Sequence, residues 1–167
     1  MGSTLENSFS AVVREHLSRQ EAPLVGSLQK LVQYEYPKEV YALAFEIFSD
    51  GFTSEFPARV FFMDRTNTEY FLYENGVAKY PSPIDPDILK IEYVYPAEIE
   101  EEFAAKDPEL DPWNIATTEF ITWFYSCWTK AGGMNFPLVA TIAHHDSSRE
   151  FNLKTGQWQK SYAQFNP

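Results

Sequence analysis

The residues best suited to chemistry in this sequence are His144, His145 and Asp146, which follow one another directly. Imidazole and carboxylate groups serve as metal ligands and as general acids and bases. Because adjacent strand residues point to opposite faces, the two histidines would share one ion only if a turn brought them together. We interpret the triplet as a structural or solvated turn. The alternative is a small enzyme that uses these residues with a carboxylate from the acidic segment 85–111.

A second chemically capable group lies between positions 98 and 102. Glu98 and Glu102 are four residues apart, and Glu101 lies within the same turn, so a helix would place all three on one face. Such carboxylates can hold a hard cation or divide acid and base roles. A dicarboxylate metal centre also needs histidines at helical spacing beside it, and the sequence has none there. We therefore interpret these residues as a solvated acidic face and expect no metal and no cofactor.

Sequence motifs of common enzyme classes are absent. The chain has no G-x-S-x-G, no phosphate-binding glycine loop, no H-E-x-x-H and no C-x-x-C. The single cysteine, Cys127, lies on an apolar helical stripe, which favours a packed thiol over a nucleophile. His16 likewise lies beside an apolar stripe, where a core-edge histidine is expected. We predict no catalytic residue.

The charge of the chain is strongly negative and unevenly distributed. Thirteen basic and 24 acidic residues give a formal net charge of −11, and segment 85–111 holds ten acidic residues against two basic ones. This balance disfavours nucleic acid as a partner, because phosphate contacts need clustered Lys and Arg. One reading of the segment is a solubilising surface, and the other is a binding surface for a basic protein. The predicted binding residues, called the acidic surface below, are Glu98, Glu101, Glu102, Asp107, Glu109, Asp111 and Trp113.

The length of 167 residues predicts a single domain, 1–167, with a core that needs no disulfide or metal. Aromatic residues at 17% argue against disorder. No apolar run approaches the roughly 20 residues of a membrane span. Residues 1–25 lack the pattern of a secretory signal, so we expect a cytoplasmic location.

Four helices are predicted from capping signals and apolar spacing. Ser3 and Glu6 have the spacing of a capping box that opens a helix at about 4–20. A second helix follows Pro23 and ends before Pro37, and a short acidic helix covers 97–107. The fourth, at about 112–131, carries a large aromatic face and is expected to anchor the core. Either Asp111 or Thr117 caps its start, and two glycines at 132 and 133 supply its left-handed end.

Alternating apolar residues predict strands at 40–47 and 58–63, joined as a hairpin by Asp50-Gly51. Asn75-Gly76 predicts a second hairpin from 70–73 and 77–80, although 69–73 would also fit a helical turn. Further strands are expected at 89–95, 136–144, 149–154 and 157–165. Because βαβ alternation is missing, the fold class is α+β, a largely antiparallel sheet of about five to seven strands packed against helices.

Three segments resemble small acidic immunity proteins of bacterial polymorphic toxin systems: EVYALAFEIFSDG at 39–51, NTEYF at 67–71 and ATIAHHDSSREFNL at 140–153. The glycine and leucine-proline pattern of the SUKH-type immunity proteins is absent. What the resemblance implies is neutralisation of a toxin by direct binding, with no catalytic residue. Our leading hypothesis is therefore an immunity protein that binds a basic toxin. An adaptor or secretion chaperone, whose partner stays active when bound, is a further alternative.

Overall fold

The computed structural model describes residues 2–80 and 86–165. In these residues the helices are α1 Thr4–Ser18, α2 Glu21–Gln33, α3 Ala97–Lys106 and α4 Pro112–Lys130. The strands are β1 Ala42–Ile47, β2 Ala58–Met63, β3 Leu72–Glu74, β4 Val77–Tyr80, β5 Val139–His144, β6 Arg149–Asn152 and β7 Gln157–Lys160. The predicted α+β class is confirmed.

The main sheet has five strands in the order β2-β1-β5-β6-β7, and β3 and β4 form a separate hairpin. Three of the neighbouring pairs in the main sheet are antiparallel, whereas β1 and β5 are parallel, with Phe45 opposite Ile142. The parallel pair brings together segments about 100 residues apart in the chain. The second hairpin is joined as predicted, since Asn75 and Gly76 both have the positive φ angles of a type I′ turn. In the first hairpin Asp50 and Gly51 lie in a 3-10 helix, Ser49–Gly51, within a longer connection from β1 to β2.

The two faces of the sheet have different surroundings. Leu43, Phe45 and Ile47 of β1 are buried on the face that α4 covers, where Phe45 packs against Phe124 at 4.8 Å between ring centroids. Helices α1 and α2 pack on the other side of α4. The alternating residues Ala44 and Glu46 belong to the opposite face, called the outer face below.

Helix α4 follows the sequence prediction closely. The side chain of Asp111 accepts a hydrogen bond from the backbone N–H of Asn114 at 3.1 Å, so Asp111, and not Thr117, caps the helix. Buried side chains of its aromatic face include Phe120, Phe124 and Trp128. Cys127 is buried beside them, and this burial raises the pKa of its thiol to about 12, as expected for a packed thiol.

The two glycines after α4 have different roles. Gly132 adopts the predicted left-handed conformation, with φ of 89°. Gly133 does not have a positive φ and lies against the indole ring of Trp128. The prediction that both residues supply the left-handed end is therefore correct for Gly132 only.

The strand predicted at 89–95 is wrong. Pro86–Leu89 forms a 3-10 turn, Lys90 has φ of 59°, and the residues after it run in irregular backbone. The backbone N–H groups of Val94 and Tyr95 both donate to the carbonyl of Phe52, at 2.7 and 3.2 Å. The side chain of Gln20 bonds the N–H of Glu92 and the carbonyl of Tyr93. The apolar alternation correctly predicted that Ile91 and Tyr95 are buried. The backbone hydrogen bonds of this segment, however, are made with a loop and a side chain and not with a neighbouring strand.

Helix boundaries in the N-terminal region differ from prediction by a few residues. The capping box of α1 is present, since Glu6 N–H donates to Ser3 Oγ and Ser3 N–H donates to Glu6 Oε2. Helix α2 begins at Glu21, so Pro23 lies inside its first turn, where the missing N–H costs little. Among the described residues, no helix has the length and apolar character needed to cross a membrane.

Candidate functional site

The acidic surface begins on the outer side of α3. Glu98, Glu101 and Glu102 are exposed, while Phe103 on the opposite side of the helix is buried against Phe9. Glu102 forms an ion pair with Lys106 at 2.6 Å. No residue that the structure describes forms an ion pair with Glu98 or Glu101. Helix α3 therefore presents two carboxylates whose charge is not compensated locally.

The remaining residues of the acidic surface lie on the connection to α4 and on its first turn. The Asp107 carboxylate accepts a hydrogen bond from the N–H of Glu109 at 3.0 Å, and Asp111 caps α4. The Trp113 side chain is 46% exposed, and its Nε1 donates to Oε2 of Glu100 at 3.4 Å. This bond joins the aromatic side chain to α3, so the structure connects the two parts of the acidic surface.

His144 and His145 point in different directions, as predicted for neighbours on a strand. Nδ1 of His144 lies 2.8 Å from the carbonyl oxygen of His145, and Nε2 lies 2.8 Å from Oγ of Ser49. With Nδ1 donating to the carbonyl, Nε2 accepts from the Ser49 hydroxyl. A serine bonded to a histidine is also the geometry of a nucleophile and its base. Ser49 is only 8% exposed, however, and we interpret the bond as a structural link between the ends of β1 and β5.

His145 contacts a carboxylate from outside the acidic segment. Its Nδ1 lies 3.0 Å from Oε2 of Glu46 on β1, and its Nε2 lies 3.5 Å from Oδ2 of Asp146. The hydrogen bond to Glu46 is the main reason that the pKa of His145 is raised above its ordinary value. His145 is therefore not paired with a carboxylate from segment 85–111, as the enzyme alternative requires. The partner is Glu46.

His145 and Glu46 line a cleft of about 280 Å³ on the outer face of the sheet, called the outer cleft below. Residues 161–165, after β7, return over this face, and Phe165 packs against Tyr41 at 5.6 Å between ring centroids. The apolar part of the lining includes Phe48, Phe61, Met63 and Phe165. Its polar part includes Glu46, Asn67, Glu69, His145, Glu150 and Tyr162.

The outer cleft is therefore lined by three carboxylates, those of Glu46, Glu69 and Glu150, and by apolar side chains. The side chain of Glu150 is 4% exposed, and its Oε1 accepts from the side chain of Gln159 at 3.3 Å and from the N–H of Tyr162. Burial, together with the negative charge of Glu46, raises the pKa of Glu69. Among the described residues no cluster of three or more His, Cys, Asp or Glu is arranged to hold a metal ion.

The sequence interpretation did not include Glu46, Glu69 or Glu150. A partial signal was present, because alternation along β1 places Glu46 on the face opposite Phe45. The burial of Glu150 has no such signal, since it depends on residues 161–165 returning over the sheet.

Comparison with known proteins identifies no relative. No protein-family model matches the chain, and no curated protein or solved structure matches it. The resemblance to immunity proteins therefore stays a prediction.

Proposed function

We propose that this protein is a non-enzymatic binding protein, an immunity protein in the leading hypothesis, that neutralises a basic toxin through the acidic surface. The observation that carries the proposal is the position of Glu98 and Glu101, uncompensated by any described cation, on the helix to which the exposed Trp113 is joined. The hydrogen bond from Trp113 to Glu100 links an exposed aromatic ring to the helix that carries the uncompensated charges.

The physical argument has two parts. Carboxylates without a local ion pair can attract a positively charged partner. Complementary potentials accelerate association and disfavour acidic competitors. Exposed tryptophan is enriched among the residues that dominate binding energy at interfaces. Trp113 keeps nearly half of its surface exposed while its indole N–H is fixed by Glu100, so the ring is positioned before a partner arrives.

The experiment compares two quadruple charge reversals in the full chain. The first changes Glu98, Glu101, Glu102 and Asp107 to lysine. The control changes the exposed residues Glu35, Glu39, Glu55 and Glu74 to lysine, which alters the net charge by the same amount. Tagged wild-type protein first captures its partner from a native bacterial lysate at low salt, and mass spectrometry identifies that partner.

We expect a basic protein that elutes at high salt, that binds the control variant, and that no longer binds the first variant. Equal binding to both variants would show that the acidic surface is not the interface. A bound partner that retains its toxic or enzymatic activity would indicate an adaptor or secretion chaperone in place of an immunity protein. Trp113→Ala, expected to weaken binding at least tenfold, tests the aromatic anchor separately.

A further inference from the structure

The outer cleft and the acidic surface lie on opposite sides of the main sheet. Glu46 lies on the outer face, whereas Phe45 beside it packs under α4. Helix α3 belongs to the helical side, because Phe103 packs against Phe9 of α1 at 5.3 Å. One small partner contact cannot cover both regions, so the cleft needs its own explanation. That explanation does not depend on the proposed function.

We propose that the outer cleft binds an organic cation, an alkylammonium or alkylguanidinium group carried on an apolar stem. The apolar stem would lie along Phe61 and Met63, and the cationic head would face Glu46, Glu69 and Glu150. A volume of about 280 Å³ suits a group of this size.

Two acceptor atoms of the residues that line the cleft have no donor among the described residues, and one of these atoms is buried. The Oδ1 atom of Asn67 is buried without a hydrogen-bond partner among the described residues. Both hydrogen bonds that Glu150 accepts from described residues go to Oε1, which leaves Oε2 without a hydrogen bond on a residue that is 4% exposed. Buried acceptors without donors are costly, and an ammonium brings three donors and a guanidinium five. The neutral acceptor of Asn67 points to a ligand independently of the charge.

The carboxylates and the apolar side chains of the outer cleft favour an organic cation over a metal ion. Glu69 makes no side-chain hydrogen bond with any described residue, and its carboxyl faces the negative charge of Glu46, so a cation relieves a repulsion already present. A hard metal ion needs six to eight oxygen ligands and suits an apolar wall poorly. An alkyl stem, by contrast, gains free energy from burial against phenylalanine and methionine.

The test is isothermal titration of the full chain with butylguanidinium chloride and butylammonium chloride, with butanol as the uncharged control. We expect saturable one-to-one binding of at least one cation, at least tenfold tighter than that of butanol. Glu69→Gln and Glu150→Gln should each weaken cation binding about tenfold, because each removes one charged acceptor. The matched control is Glu74→Gln, an exposed residue of β3, which should bind as the wild type does.

Two results would overturn the proposal: butanol binding as tightly as the cations, or unchanged cation binding by Glu69→Gln. The Glu69→Gln variant is decisive because Glu150→Gln removes the charge that strengthens two hydrogen bonds of a buried side chain and can disturb folding, which circular dichroism would detect. Blocked pentapeptides with a single central lysine or arginine distinguish the source of the cation. Binding of a peptide as tight as that of the free cation identifies a protein side chain, and exclusion of the peptides identifies a free amine or guanidine.

The cation-binding proposal and the protein-binding proposal can be tested separately. The quadruple variant at Glu98, Glu101, Glu102 and Asp107 should still bind the cation, and Glu69→Gln should still bind the protein partner. Loss of cation binding in the quadruple variant would contradict the separation of the two regions.

Discussion

The indole ring of Trp128 lies directly against the backbone of Gly133. A Cβ atom at position 133 would lie 2.2 Å from Nε1 and from Cε2 of that ring. Trp128 is 1% exposed and packs between Phe45 of the sheet and Phe136, at 5.7 and 5.4 Å between ring centroids. The largest side chain of the core therefore reaches its position only because residue 133 has no side chain.

Gly133→Ala should destabilise the protein by about 1–3 kcal/mol, since the new methyl group forces the ring or the backbone to move. Gly26→Ala is the matched control. It lies within α2 with nothing within 4 Å of the added Cβ, and it should stabilise by about 0.5–1 kcal/mol through helix propensity. Urea denaturation of both variants measures the difference. Equal effects of the two changes would contradict the close packing of Trp128 on Gly133.

Trp128→Ala should destabilise by about 3–5 kcal/mol, because it leaves a large cavity between α4 and the sheet. Trp113→Ala removes the same side chain from the surface and should cost less than about 1 kcal/mol. Thermal and chemical denaturation compare the two. A Trp128 variant as stable as the Trp113 variant would mean that the aromatic face of α4 is not the main anchor of the core.

Tyr95→Phe should destabilise by about 1.5–3 kcal/mol, the range for hydrogen bonds to charged groups. The buried Tyr95 hydroxyl donates to the Glu100 carboxylate at 2.6 Å, and without it the longer bond from Trp113 is the one that carboxylate keeps among the described residues. Burial and this bond raise the pKa of Tyr95, so the hydroxyl remains a donor at neutral pH. Tyr73→Phe, at a side chain 60% exposed, is the control and should leave the unfolding midpoint unchanged.

Glu46→Gln should lower the pKa of His145, whose raised value comes first from the hydrogen bond to Glu46. In the wild type the raised pKa stabilises the folded state fully below the unfolded-state value of 6.5, and this contribution disappears as the pH rises through the folded-state value. Because the His145 side chain is 48% exposed, the effect on stability is small and the pKa itself is the better readout.

Titration of the His145 ring by NMR provides that measurement. Asp146→Asn should change the pKa less, since the Asp146 carboxylate is 88% exposed and 3.5 Å from the ring. An unchanged His145 pKa in Glu46→Gln would rule out the Glu46 contact in solution.

Elements that depend on contacts between near neighbours in the chain can be predicted from the sequence. The Ser3 capping box and the Asn75-Gly76 turn each join residues no more than four positions apart, so their chemistry is readable along the chain. For α4 the same spacing left Asp111 and Thr117 as possible caps, and the structure selects Asp111. The aromatic stripe of α4 was readable for the same reason, because helical periodicity alone brings Phe120, Phe124 and Trp128 to one face.

The hydrogen-bond partners of distant backbone segments, by contrast, are visible in the folded structure alone. Segment 89–95 alternates like a strand, yet its hydrogen bonds go to Phe52 and Gln20, whose positions no local pattern reveals. The parallel pairing of β1 with β5 and the return of residues 161–165 are equally non-local. Together they assemble Glu46, Glu69, His145 and Glu150 in the outer cleft. Sequence spacing carries no information about such a site, because its geometry comes from chain segments that meet only after the sheet has formed.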